Sequence, residues 1–212
     1  MFDAKKANAG WKPGDDSVIE NPKLGCKVVH VMWVSPEGDK VLYDQAIRAE
    51  KGGGVFLPVD EKGRVGLKKV WRPQTNDQEA YARNFPNINL SELGRFSYEI
   101  PRGFPKMRES GHEAAIREAK EETESVVVSA RNLGRFCDNT AFSPHLTDFV
   151  VGQIDMSRSS GLTADQNDQL MKGVEWFTWE ELIELRKEGK LYCCFTLSAL
   201  AIIKMEYPEL LK

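Results

Sequence analysis

The sequence predicts an α+β domain built in layers, and three observations carry that prediction. Short β-branched and aromatic runs outnumber helical stretches. The two kinds of element follow one another in mixed order, unlike the regular alternation of a doubly wound sheet. The chain has 212 residues, 41% apolar and 29% charged, enough to bury a core without disulfide staples.

Residues 1–22 carry Lys5, Lys6, Gly10, Pro13 and Gly14, which break any period, so an irregular arm is expected. Residues 27–34 (K-V-V-H-V-M-W-V) read as a strand and Pro36-Glu37-Gly38-Asp39 as a turn. Val41-Leu42-Tyr43, continuing toward Arg48, reads as the returning strand. Gly52-Gly53-Gly54 then interrupts the chain. The expected boundary near residue 50 separates an amino-terminal arm and β-hairpin subdomain (1–50) from the main domain (51–212).

The main domain opens on a second hairpin: Val55-Phe56-Leu57-Pro58-Val59, a turn over 60–63, and a return over 65–71. Residues 73–97 are polar and too long for an ordinary connection. They hold Tyr81, Phe85 and Phe96, so this insertion is expected to pack on the body or cover a site. A short strand (97–100), a loop (102–111) and a helix (112–124) come next, with strands at 126–128, 133–136 and 149–154. A loop over 157–172 leads to a strand at 174–177 and a helix starting at Trp179. The last helix, 196–206, has an apolar face at Leu197, Leu200, Ala201 and Met205. Trp176, Phe177 and Trp179 read as anchors of the closing strand and helix, and Cys193 and Cys194 as apolar packing.

Composition removes several function classes. Lys plus Arg number 29 and Asp plus Glu 32, a net charge of -3, so no global field attracts nucleic acid. Cys26, Cys137, Cys193 and Cys194 form no C-x-x-C pair, and His30, His112 and His145 are too dispersed for a zinc signature. The first 17 residues lack an apolar signal core, and Thr196, Ser198 and Lys204 interrupt the apolar stretch 191–205. No membrane partner is expected, and the expected setting is the reducing cytoplasm.

Chemistry concentrates in residues 103–122, G-F-P-K-M-R-E-S-G-H-E-A-A-I-R-E-A-K-E-E. On a helix, Glu118, Glu121 and Glu122 stand at i, i+3 and i+4 and share one face. Like charges at that spacing repel by about 0.2–0.5 kcal/mol per pair. A hard divalent cation with oxygen ligands offsets the repulsion; a solvated acidic face is the plain alternative. Ala114 and Ala115, one turn earlier, would leave room there for a loop or substrate. Ile116, Ala119 and Thr123 would form the core-facing stripe.

The spacing of Gly103, Glu109, Arg117-Glu118 and Glu121-Glu122 resembles the signature of the Nudix hydrolases. Glu99, Pro101 and Gly103 resemble the E-x-P-x-G of its ADP-ribose pyrophosphatase and nucleoside diphosphate sugar hydrolase branch. Trp71-Arg72-Pro73 is similar to that branch's aromatic-Arg-Pro strand end. Tyr43-Asp44 with Arg48 resembles its substrate-binding strand, Phe142-Ser143-Pro144 its proline-containing loop, and 174–182 its closing strand and helix.

The resemblance implies a Nudix-type α/β/α sandwich around a mixed sheet. It implies Mg²⁺ or Mn²⁺ on Glu118 and Glu122, with Glu121 completing the cluster and the backbone carbonyl of Arg102 as a further ligand. Arg117 would pair with Glu109 and hold the loop over the helix. Arg72 would bind phosphate and Tyr43 would stack on a base, with Arg48 and Glu99 among the substrate contacts and the hairpin reaching across a homodimer. Glu121 ranks first as general base, Asp168 second and Asp165 third. The reaction implied is hydrolysis of the diphosphate linkage in a nucleoside diphosphate joined to another group, ADP-ribose or a nucleoside diphosphate sugar. Two alternatives stay open: other pyrophosphate substrates (dinucleoside polyphosphates, dinucleotide cofactors, damaged nucleotides), and a non-catalytic ligand sensor.

Two departures matter. The glycine usual after E-E-x is Glu124 here. That glycine ends the helix in the left-handed conformation, which Glu adopts at a cost of about 1 kcal/mol, so the helix is expected to run on or end differently. Arg102 stands where a small residue is common; a reach to substrate phosphate and an exposed loop arginine are both open.

Overall fold

Apolar residues at every position of Gly54–Val59 require a strand covered on both faces. The computed structural model supplies the two layers. It describes residues 12–13, 17–21, 26–34, 41–50, 52–71, 96–140, 143–162 and 171–211, those up to residue 50 by backbone pairing alone. The chain divides into two units, Met1–Lys51 with Cys137–Leu146, and Gly52–Phe136 with Thr147–Lys212.

In the first unit, β3 (Cys26–Val34) and β4 (Val41–Glu50) form an antiparallel hairpin with Trp33 opposite Tyr43. The arm expected to be irregular adds two strands to β3, namely β1 (Lys12–Pro13) and β2 (Ser17–Asn21). Lys12–Pro13 is too short to display a period of two, and S-V-I-E-N does not alternate. Within residues 137–146, Cys137 Sγ donates to the Ser143 carbonyl at 3.3 Å, and Ser143 Oγ lies 2.8 Å from His145 Nδ1.

The second unit holds most of a sheet ordered β10 (Arg131–Asn139), β11 (Ser143–Ser159), β5 (Gly54–Val59), β6 (Val65–Val70), β12 (Met171–Phe177), with residues 137–139 and 143–146 counted in the first unit. β11 runs parallel to β5 and β6 antiparallel to β12, so the sheet is mixed. β9 (Ser125–Val127) pairs with β11. β5 and β6 pair at Val59 and Val65, beside their turn. Further along, the segment 97–103 lies between them. β7 (Ser97–Glu99) pairs with β6, β8 (Arg102–Gly103) pairs with β5, and Phe56 N–H donates to the Pro101 carbonyl at 2.9 Å. This wedge delivers Gly103 to the first helix.

Among the described residues, three helices cover the sheet: α1 (Gly111–Thr123), α2 (Trp179–Lys187) and α3 (Cys194–Glu206). Alternation sorts the strand residues. Val55, Leu57, Val59, Val65, Leu67, Phe149 and Val151 pack with Leu182, Leu200 and Ile203 of α2 and α3. Phe56, Val150 and Ile154 pack with Ala115 and Ala119 of α1, beside Trp176. Phe177 meets Tyr98 edge-on at 5.1 Å, so the closing strand and helix are anchored by their aromatics as expected. Among the described residues, no helix is long and apolar enough to cross a membrane.

α1 lies directly against β5. A Cβ on Gly54 would stand 2.0 Å from the Gly111 carbonyl and 2.6 Å from Ala115 N, so only glycine allows this approach. This corrects the expectation that Ala114 and Ala115 flank open space; both are fully buried against the sheet. The helix turns its Ala114, Ala115, Ala119 and Glu122 side inward. It starts in a capping box: Ser110 Oγ accepts from Glu113 N–H at 3.2 Å, and Glu113 Oε2 accepts from Ser110 N–H at 2.8 Å. It stops at Thr123 because Glu124 takes the left-handed conformation, φ +53° and ψ +19°. The termination survives without the glycine, at the cost of strain in a glutamate.

Candidate active site

The loop from Arg102 to Ser110 crosses the start of α1, and one arginine organises it. Arg117 Nε donates to Glu109 Oε1 at 2.9 Å, and Nη2 donates to Glu109 Oε2 at 3.1 Å and to the Phe104 carbonyl at 3.0 Å. Its Nη1 donates to Glu118 Oε1 at 2.6 Å and to Glu121 Oε2 at 2.9 Å. Fork geometry suits such multiple donation. Lys106 N–H closes the loop onto Glu109 Oε2 at 2.7 Å, and Lys106 Nζ lies 3.4 Å from Glu121 Oε1. Arg117 thus ties Glu109, Glu118 and Glu121 into one network.

The electrostatics differ along the network. The hydrogen bond from Arg117 holds Glu109 below the usual carboxylate range. Burial pushes the Glu118 carboxyl up, against the pull of Arg117. Burial also opposes the Arg117 charge, but its bonds to Glu109 and Glu118 raise its pKa further still. Gly103 makes room for this cluster: a Cβ there would stand 2.0 Å from Glu118 Oε1.

Glu122 lies deeper, at 9% exposure, and its Oε1 pairs with the ammonium of Lys68 on β6. Lys68 itself is 5% exposed. It lies outside the motif of residues 103–122. A signal existed, since Lys68 sits in the same phase of β6 as Gly66 and Val70, on the side of the sheet that meets α1.

Arg102 and Glu99 are tied to each other. Glu99, 4% exposed, accepts from Ser97 Oγ at 2.8 Å, and its Oε2 pairs with Arg102 Nη2 at 2.9 Å. Arg102 also stacks over Phe195 at 5.3 Å and donates to Cys193 Sγ at 3.5 Å. Its side chain is anchored in the protein, neither free in a loop nor extended toward open space. Cys193 therefore has a basic neighbour in space that its sequence surroundings did not reveal.

The donor set suits a hard divalent cation. Three carboxylates stand within little more than one turn of α1, the loop glycine leaves space beside Glu118, and burial of Glu118 is a cost that a bound cation would offset. Among the described residues, Arg117, Lys106 and Lys68 pair with these carboxylates. No group of three or more His, Cys, Asp or Glu among the described residues encloses a single point. Arg72, Asp165, Asp168 and Phe142 lie outside the described residues, as do the side chains of Tyr43 and Arg48.

A family model for the NUDIX domain matches residues 56–192. No curated protein matches the sequence. The crystal structure of an ADP compounds hydrolase is similar, with a TM-score of 0.68 and 14% identity over 94% of this chain and 95% of that one. At that identity the likeness speaks for the fold, and the mixed sheet between helices agrees with it. The matched span contains Gly103, Glu109, Arg117, Glu118, Glu121 and Glu122, and covers about two thirds of the sequence. The chain belongs to the Nudix family of hydrolases.

Proposed function

We propose that this protein hydrolyses the diphosphate linkage of a nucleoside diphosphate joined to another moiety, with ADP-ribose or a nucleoside diphosphate sugar as substrate. The observation that carries the reading is the carboxylate face of α1, ordered by Arg117 beneath the Gly103 loop. The E-x-P-x-G wedge and the likeness to an ADP compounds hydrolase support the substrate class.

Glu118 and Glu122 hold Mg²⁺ or Mn²⁺ in this reading, with Glu121 and the Arg102 carbonyl beside them. The bound cation supplies charge to the phosphate oxygens and acidifies water. Arg117 keeps Glu109, Glu118 and Glu121 in fixed rotamers, so the carboxylates need little reorganisation when substrate arrives. Glu121, 21% exposed at the side chain, is the first candidate to take the proton of the attacking water, ahead of Asp168. Arg72 binds phosphate, and Tyr43 and Arg48 act on the base side, with the amino-terminal hairpin completing the site of a second copy. Glu99 accepts from Ser97 and pairs with Arg102, so part of its contribution to substrate binding passes through the position of Arg102.

The test is a panel of ADP-ribose, nucleoside diphosphate sugars, dinucleoside polyphosphates and dinucleotide cofactors incubated with Mg²⁺. Phosphate freed by a subsequent phosphatase is measured and the products identified. Nucleoside monophosphate from ADP-ribose or a nucleotide sugar is expected. Turnover confined to dinucleoside polyphosphates would overturn the substrate assignment, and no turnover of any member would overturn hydrolysis.

A further inference from the structure

Lys68 stands where a lysine is seldom found. Pairing on both sides fixes its backbone, opposite Glu99 of β7 and Val174 of β12. Its side chain enters the layer between sheet and α1 at 5% exposure, a depth lysine reaches only with a partner. The ammonium pairs with Glu122 Oε1, and its field also works against the effect of burial on Glu118. One cation thus serves two of the three carboxylates assigned to the metal.

A second buried carboxylate stands within reach. Glu99 is directly paired with Lys68 across the strands, so both side chains leave the same face with Cβ atoms about 4.5–5.5 Å apart. The lysine stem is long and flexible, and its head can travel between Glu122 and Glu99 while the strand stays fixed.

We infer that Lys68 is an internal counter-ion that holds Glu122 while the site is metal-free and swings toward Glu99 when a divalent cation takes Glu122. The inference rests on the metal reading above. A glutamate oxygen shared between an ammonium and a dication places two positive charges side by side in a buried layer, so the two compete. In the metal-free protein Lys68 contributes positive charge beside the buried carboxylate of Glu122. The same pairing weakens metal affinity by the factor with which it outweighs the free state. Lys68 therefore acts as a positioning residue, through Glu122.

Calorimetric titration with Mn²⁺ compares the wild type with Lys68→Met and Glu99→Gln, each checked by circular dichroism. Lys68→Met is expected to bind Mn²⁺ about tenfold tighter, because the competitor is gone. It should melt earlier than wild type in chelator and gain more from Mn²⁺. Glu99→Gln is expected to bind about fivefold weaker, because Lys68 loses its second seat, and to have no further effect in a Lys68→Met background. Unchanged or weaker binding in Lys68→Met overturns the inference, as does unchanged binding in Glu99→Gln. A Lys68→Met protein that folds only with Mn²⁺ supports it, since the dication then replaces the ammonium. If Lys68→Met folds under neither condition, Glu99→Gln decides alone. Absence of Mn²⁺ binding in the wild type overturns the metal reading, and the inference with it.

Discussion

Glu124→Gly is expected to stabilise this protein, although it removes a side chain and adds no contact. Glu124 ends α1 at φ +53° and ψ +19°, a conformation costing an L-residue about 1–2 kcal/mol. Glycine adopts it freely but loses about 0.5–1 kcal/mol more backbone entropy on folding. The backbone interaction is kept, since the carbonyl at this position accepts from Ser160 N–H at 3.1 Å whatever the side chain. The net gain is about 0.5–1 kcal/mol. For a chain of this length that raises the melting temperature by roughly 1–4 °C. Thermal and urea unfolding of wild type, Glu124→Gly and Glu124→Ala measure it. Alanine keeps the Cβ and loses the carboxylate, so it should gain nothing comparable. An equal gain in both variants would assign the effect to charge, and no gain in glycine would refute the strain argument.

Gly103→Ala should lower kcat at least about 100-fold while the far-ultraviolet spectrum is kept, because its Cβ would lie 2.0 Å from Glu118 Oε1; wild-type turnover would refute the close packing. Tyr98, buried with its hydroxyl 3.1 Å from Glu175, should ionise near pH 12, read at 295 nm and absent from Tyr98→Phe. Its folded pKa exceeds the unfolded value of 10.0, so the stability it contributes is complete below pH 10.0 and lost as pH rises toward about 12. Glu113 titrates in the opposite sense. Its hydrogen bonds from Ser110 lower its pKa below 4.5, so the melting-temperature advantage of wild type over Glu113→Gln should hold above that pH and shrink as pH falls through the folded value.

Much of this architecture is legible in the sequence, for reasons that differ from element to element. The strand Val55-Phe56-Leu57-Pro58-Val59 and the helix beginning at Trp179 declare themselves through local pattern, and both are found. The carboxylate cluster is legible because helical spacing fixes which residues neighbour one another. Spacing does not fix how a helix is rotated against its sheet. Ala114 and Ala115 were therefore placed toward open space, whereas they lie against Gly54, and Glu122 points inward instead of sharing the exposure of Glu121. Lys68 was missed for a related reason: its role depends on Glu122, 54 residues away in sequence. The strands β1 and β2 are not legible because one has two residues and the other, S-V-I-E-N, does not alternate.

We propose that the carboxylates of α1 hold a divalent cation that drives diphosphate hydrolysis. This is tested most directly by ADP-ribose turnover in Mg²⁺, with products identified, for wild type, Glu118→Gln and Glu122→Gln, each with its fold verified. Conversion to AMP and ribose 5-phosphate by the wild type, abolished by chelator and restored by Mg²⁺, is expected. Each variant should lose at least about 100-fold in kcat. Wild-type turnover in either variant, or full activity in chelator, would contradict it.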